Sequence, residues 1–81
     1  MEERIALIGI IVQDTDSAVR INDILHQYNR YIVGRMGLPK ADKQTAVISL
    51  VLKAPQHIVS ALAGKLGMLE GVQAKTVYAA K

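Results

Sequence analysis

The amino-acid sequence predicts an α+β fold of element order βαββαβ, in which four strands form one antiparallel sheet and two helices pack on one face of it. Two runs rich in β-branched residues, Arg4–Val12 and Thr45–Leu52, are too short for buried helices and indicate buried strands. Each run is followed by apolar residues at helical spacing and then by a further strand-like segment. The two halves of the chain therefore have the same organisation.

The first half contains a strand, a helix and a second strand. The strand Arg4–Val12 ends at a polar cluster, residues 13–16, whose side-chain oxygens can cap the first turn of a helix. The segment Tyr31–Gly37 predicts the second strand, and the polar segment Leu38–Gln44, which contains Pro39, predicts a short connection. The helix between them is predicted from one apolar stripe: Ala18, Ile21, Ile24, Leu25 and Tyr28.

The second half repeats this order. The strand Thr45–Leu52 is followed by Pro55, which suits the first turn of a helix, and Gly67 or Gly71 can end that helix in a left-handed conformation. The apolar stripe of this helix consists of Ile58, Val59, Leu62, Leu66 and Leu69. Val72–Tyr78 alternates polar and apolar residues and predicts an edge strand. The complete order predicts a ferredoxin-like sandwich with the first and third strands at the centre of the sheet.

Length and composition exclude several classes of protein. The 81 residues form a single domain, 1–81, and 51% of them are hydrophobic whereas only 4% are aromatic. The absence of cysteine excludes a disulfide scaffold and thiolate-bound metal. No apolar run approaches the roughly 20 residues of a membrane span, and no export signal is recognisable, so we expect a cytoplasmic protein with no membrane partner.

The basic residues give no clear nucleic-acid footprint. The net charge is +3, but the ten basic residues are scattered along the chain. RNA recognition on this fold uses aromatic residues of the central strands, and the predicted third strand has none. We therefore do not expect the chain to bind nucleic acid on its own. The alternative, a direct nucleic-acid-binding protein, would use these basic residues: Arg20, Arg30, Arg35, Lys40 and Lys43.

Aliphatic residues occur on both predicted faces of the sheet. Because side chains alternate along a strand, each strand can be separated into two faces, and neither face of the first or third strand is polar. Two helices can cover only one face, so we expect a homo-oligomer, a dimer or a tetramer, that covers the other. The pattern does not determine which face the helices cover. The predicted interface residues are Ala6, Ile8, Ile10, Val47 and Val51.

No constellation nominates a catalytic or metal site. His26 and His57 lie outside the apolar stripes of their helices, without a second ligand at metal-binding spacing, and no serine has a nucleophile signature. We therefore expect a protein that is not an enzyme and has no cofactor. A ligand site remains open where the first strand ends and on the second strand, where an arginine lies among apolar neighbours. Its candidate residues are Gln13, Asp14, Arg35, Met36 and Gly37.

Four segments resemble the small iron-only hydrogenase system regulators. These segments are Arg4–Val12 (RIALIGIIV), Tyr31–Pro39 (YIVGRMGLP), the helix start Ala54, Pro55 and Gln56, and Gly64–Val72 (GKLGMLEGV). The similarity extends from Arg4 to Tyr78, and the second and fourth segments are the more specific ones.

The resemblance implies an ACT-like fold, similar to the regulatory domain of the nickel-responsive repressor, and a role in transcriptional or system regulation linked to iron-only hydrogenase. Such a module would bind a small-molecule effector or a protein partner. The histidine and cysteine nickel ligands of that repressor have no counterpart here, so nickel sensing is not implied. The repressor's DNA-reading segment precedes its regulatory domain, whereas only residues 1–3 precede the first strand here. We therefore expect any effect on transcription to need another protein or another surface.

Overall fold

The computed structural model describes residues 2–80 and has the predicted order of strands and helices. The elements are β1 (Glu3–Val12), α1 (Ala18–Gln27), β2 (Ile32–Asp42), β3 (Thr45–Pro55), α2 (Gln56–Gly67) and β4 (Val72–Tyr78). Short 3₁₀ turns precede α1, at Thr15–Ser17, and follow it, at Asn29–Tyr31. The four strands form one antiparallel sheet in the order β2-β3-β1-β4, so the two β-branched runs are central. The ferredoxin-like α+β prediction is confirmed.

The second strand is longer than the sequence predicts. The segment Leu38–Gln44, predicted as a connection, belongs to β2 as far as Asp42, and only two residues separate β2 from β3. The register of β2 against β3 shifts between Leu38 and Asp42, which is where Pro39 lies. A proline is tolerated there because β2 is an edge strand with one unpaired side and because the shift interrupts the regular ladder.

One face of the sheet carries the hydrophobic core. On β1 the inward residues are Ala6, Ile8 and Ile10, all at most 1% exposed, and on β3 the buried inward residues include Leu50 and Leu52. Both helices pack onto this face. Their fully or almost fully buried side chains are Ile21 and Leu25 of α1 and Val59, Leu62 and Leu66 of α2.

This burial corrects three of the five predicted interface residues. Ala6, Ile8 and Ile10 lie beneath the chain's own helices and cannot meet another subunit without unfolding, so their assignment to an interface is wrong. Val47 and Val51 lie on the opposite face, because they alternate with the buried Leu50 and Leu52 along β3. The face that the helices leave uncovered is called the open sheet face below.

Candidate functional site

The open sheet face is largely aliphatic. Leu7 of β1 pairs with Val51 of β3, and Ile11 pairs with Val47, so their side chains project together on this side. Val77 extends the surface across β4. Its large exposed apolar residues are Ile5 (46% exposed), Leu7 (43%), Met36 (64%), Leu38 (52%), Val51 (37%) and Val77 (64%). A surface of this kind on a small domain is typical of an interaction site.

Small residues lie at the centre of the open sheet face. Gly9 of β1 pairs with Ser49 of β3 and with Lys75 of β4, so two small residues lie side by side with a lysine at the edge. An added Cβ at Gly9 would meet no atom within 4 Å. The small residues therefore leave room at this point of the face for a side chain of another molecule.

The predicted ligand residues at the end of β1 belong to a structural junction. The Gln13 backbone N–H donates to the Gly71 carbonyl over 2.7 Å, and the Ser17 hydroxyl donates to the Glu70 carbonyl over 2.7 Å. The Asp14 carboxylate accepts the backbone N–H of Asp16 over 3.0 Å and so caps the 3₁₀ turn Thr15–Ser17, whereas α1 itself, with Ser17 as its N-cap, begins without a side-chain cap. These contacts join the β1–α1 loop to the α2–β4 loop.

A polar cavity of about 500 Å³ opens beside this junction. It is lined by Gln13, Asp14, Thr15, Gln44, Glu70 and Gly71. Among residues 2–80, two carboxylates and no cation line it, so this lining does not suit an anionic ligand.

The other predicted ligand residues lie elsewhere. Arg35 and Gly37 line a groove of about 250 Å³ between α1 and β2, together with Ala18 and Asn22 of α1. Met36 lies between them in the sequence but pairs with Ser49 on the open sheet face. The five candidates are therefore distributed over three places, because neighbouring residues of a strand point to opposite faces of the sheet.

Sequence reasoning did not single out Arg4, which organises the end of the sheet near α2. Its guanidinium lies 4.7 Å from the centroid of the Tyr78 ring and donates to Gln56 Oε1 over 3.3 Å and to the Ala79 carbonyl over 3.1 Å. The Ser60 and Tyr78 hydroxyls lie 3.3 Å apart. The sequence contained one signal for this contact: an arginine at the start of an apolar strand and a tyrosine at the end of the strand beside it.

A groove of about 870 Å³ lies beside Arg4 and includes His57, which is exposed, as is His26 on α1. Arg4 and the polar side chains around it contact one another, which indicates that Arg4 has a structural role. Within residues 2–80, no three histidine, aspartate or glutamate side chains are placed to hold a metal ion.

The basic residues of the nucleic-acid alternative are spread over several elements. Arg20 lies on α1, Arg35 and Lys40 lie on β2, and Lys43 lies in the turn after it. Arg30 lies in the 3₁₀ turn after α1, with its guanidinium 5.3 Å from the centroid of the Tyr31 ring. The expectation that the chain does not bind nucleic acid on its own stays a prediction. No helix in the part of the chain that the structure describes is long and apolar enough to cross a membrane.

The comparison with solved structures places this fold among known proteins. TM1266, an uncharacterized protein from Thermotoga maritima, is 39% identical to this chain in sequence. The two structures superimpose with a TM-score of 0.90 over 98% of this chain and 100% of TM1266. The C-terminal domain of the MgtC protein from Mycobacterium tuberculosis has a TM-score of 0.74 at 12% identity, over 95% of this chain and 88% of that one. A formyltetrahydrofolate deformylase from Pseudomonas putida has a TM-score of 0.63 at 10% identity, over 90% of this chain but 28% of that one. The last two show a common fold only.

The sequence comparison identifies the family. No curated protein sequence matches the chain. The profile of the TM1266-like family, described as iron-only hydrogenase system regulators, matches residues 4–76. This match covers most of the chain and agrees with the similarity to TM1266 over the whole sheet and both helices. The chain therefore belongs to the family of iron-only hydrogenase system regulators.

Proposed function

We propose that this chain is a self-associating regulatory module, which joins a second copy through the open sheet face and receives its signal from a small effector or a protein partner. Its output on transcription, or on another component of the hydrogenase system, passes through another protein. The observation that carries the proposal is the group of large aliphatic side chains exposed on one side of the sheet.

The energy available from covering this face is large enough for association. Burying a fully exposed aliphatic side chain contributes roughly 1.5–3 kcal/mol, and the large side chains of the face are close to half exposed. The six of them on each of two facing copies therefore contribute roughly 9–18 kcal/mol in total. Loss of translational and rotational freedom costs about 4–15 kcal/mol. The upper part of the first range exceeds this cost, so burial of the open sheet face can support a dimer.

The size of the face also fits a dimer interface. Four strands about 4.8 Å apart and about ten residues long on average, at about 3.3 Å per residue, give a surface of roughly 600 Å² in projection. A stable interface buries about 800 Å² on each partner. The open sheet face alone supplies most of that area.

Sedimentation velocity at several protein concentrations tests the proposal with two matched variants. Leu7→Lys places a charge at the centre of the face and should give a monomer, because a lysine buried between two apolar sheets has no partner. Val19→Lys makes a comparable change at a side chain that is 69% exposed on α1, outside the open sheet face, and should sediment like the wild type.

Circular dichroism of both variants is the control that tests whether they are folded. A monomeric wild-type protein at micromolar concentration, or a folded Leu7→Lys variant with unchanged mass, would contradict the proposal.

A further inference from the structure

The groove between α1 and β2 exists because the two helices do not reach the edge of the sheet. Every residue of β2 after Ile32 is exposed, whereas β1 and β3 carry the core beneath the helices. The groove has a volume of about 250 Å³, below the roughly 300–1,000 Å³ of pockets for drug-sized ligands. It therefore suits a small molecule.

The lining of this groove combines an apolar floor with one positive charge. Ala46 and Ile48 of β3 lie at its base, and Ala18 of α1 forms part of its wall. Arg35 is the single charged residue among the described residues that line it, and Asn22 is the single amide. Neither side chain has a hydrogen bond or ion pair with another residue in the described range 2–80. Both are free to bind a ligand.

We propose that this groove binds a small monocarboxylate with an aliphatic or aromatic body. The Arg35 guanidinium donates paired hydrogen bonds to the carboxylate, and the Asn22 amide supplies a further donor. The apolar part of the ligand lies against Ala46 and Ile48. This inference deepens the proposed regulatory function and rests on it, since it supplies the small effector.

The same lining distinguishes a simple carboxylate from an amino acid. No aspartate or glutamate lines the groove within residues 2–80, so an α-ammonium group would lose water without gaining a counter-charge. 4-Methylpentanoate and leucine have the same branched carbon skeleton and differ by that ammonium group. The first should bind and the second should bind at least about tenfold more weakly.

Gly37 offers a steric test of the same groove. It pairs with Ile48, so a side chain at this position would point to the helix side of the sheet, into the groove. An added Cβ would meet no atom within 4 Å, and the backbone is not in a left-handed conformation. The position therefore has room for a β-carbon, and we expect Gly37→Leu to fold and to fill the space that the ligand needs.

The experiment is a titration of the ¹⁵N-labelled protein with 4-methylpentanoate, followed by amide chemical shifts and repeated with leucine and with 4-methylpentanamide. We expect shifts at the amides of residues 35–37, 46–48 and 18–22. Arg35→Gln should weaken binding by about tenfold or more, because a charge-assisted hydrogen bond is lost. Gly37→Leu should abolish binding. Arg20→Gln, an exposed arginine of α1 outside the groove lining, should bind like the wild type.

Three results would overturn the inference: equal affinity for leucine, equal affinity of Arg35→Gln, or no shifts in the groove at millimolar ligand. Arg35→Gln keeps the test decisive even if Gly37→Leu does not fold. The failure of the groove is distinguishable from failure of the proposed function, because sedimentation without ligand measures self-association separately. If the protein self-associates but does not bind 4-methylpentanoate, only the proposal of a ligand site in the groove is contradicted.

Discussion

Gly71 occupies a backbone position that a side chain would strain, where the α2–β4 loop meets the end of β1. Its φ angle is +71°, in the left-handed region, and its carbonyl accepts the hydrogen bond from Gln13. An ideal Cβ added here would lie 2.6 Å from the Asp14 Cβ and 2.9 Å from the Asp14 backbone nitrogen. Gly71→Ala therefore combines backbone strain with a collision that only a movement of one loop can relieve.

The magnitude follows from these two terms. Left-handed backbone costs a residue with a Cβ about 1–2 kcal/mol. Displacing the loops weakens the hydrogen bond between Gln13 and Gly71, which contributes about 1 kcal/mol. With the collision itself, we expect the free energy of unfolding to fall by roughly 2–4 kcal/mol. For a domain of this size that corresponds to a decrease in Tm of roughly 10–25 °C.

Urea unfolding followed by circular dichroism, at one fixed protein concentration, measures this change. Gly64→Ala is the matched control, because Gly64 lies inside α2, and its added Cβ meets nothing within 4 Å. That variant should be more stable by about 0.5–1 kcal/mol. The same chemical change should thus have opposite signs at the two glycines. A Gly71→Ala protein as stable as the wild type would refute the assigned loop geometry.

Three further substitutions test the packing by the same unfolding measurement. Ser17→Ala removes the hydroxyl that binds the Glu70 carbonyl and should destabilise the protein by about 1–2 kcal/mol, whereas a neutral effect would dismiss that bond. Leu62→Ala should cost about 2–5 kcal/mol, because this side chain is fully buried between helix and sheet, and a smaller loss would indicate a looser core. Arg4→Lys keeps the charge but loses the planar contact with Tyr78 and should cost about 1 kcal/mol; an unchanged midpoint would show that charge alone suffices.

The elements were predictable because their signals are local. The helical spacing that placed Ile21 and Leu25 on one stripe of α1 is the spacing that buries them, and Leu62 and Leu66 behave in the same way on α2. The order of the strands in the sheet could then be predicted, because the two most apolar strands, β1 and β3, are expected at its centre. The predicted left-handed helix stop is wrong in its place: α2 ends at Gly67 with Met68 as a right-handed C-cap, and the left-handed Gly71 lies in the loop beyond it.

The covered face of the sheet was not predictable from β1 and β3 alone. Both faces of these strands are aliphatic, and the path of the connecting helices over the sheet decides which one is buried, which no local pattern records. A weaker signal was present on the remaining residues of the open sheet face. Ser49 and Lys53 alternate with the buried residues of β3 and so lie on the open sheet face. Lys75 of β4 lies on the same face, because Gly9 pairs with both Ser49 and Lys75. These polar residues mark the face that the helices leave uncovered.

The candidate ligand residues do not lie together in the structure, for a related reason. Arg35, Met36 and Gly37 are consecutive, but the strand sends Met36 to the open sheet face and leaves the other two at the groove. The sequence predicted Leu38–Gln44 as a connection because Pro39 and several polar residues lie in it. An exposed edge strand can contain both, since its outer side has no partner and its side chains meet water.

The irregular second half of β2 also limits how copies of this chain can join. Three residues, Pro39, Lys40 and Ala41, lie between the paired Leu38 and Asp42, and only Ala46 lies between their partners on β3. Proline has no N–H to offer a neighbouring strand, and a lysine on an edge opposes stacking of like copies. Ladder extension from one molecule to the next is thus blocked along this stretch. Growth into fibrils through this edge is therefore disfavoured, and self-association of the proposed kind would have to use the open sheet face instead.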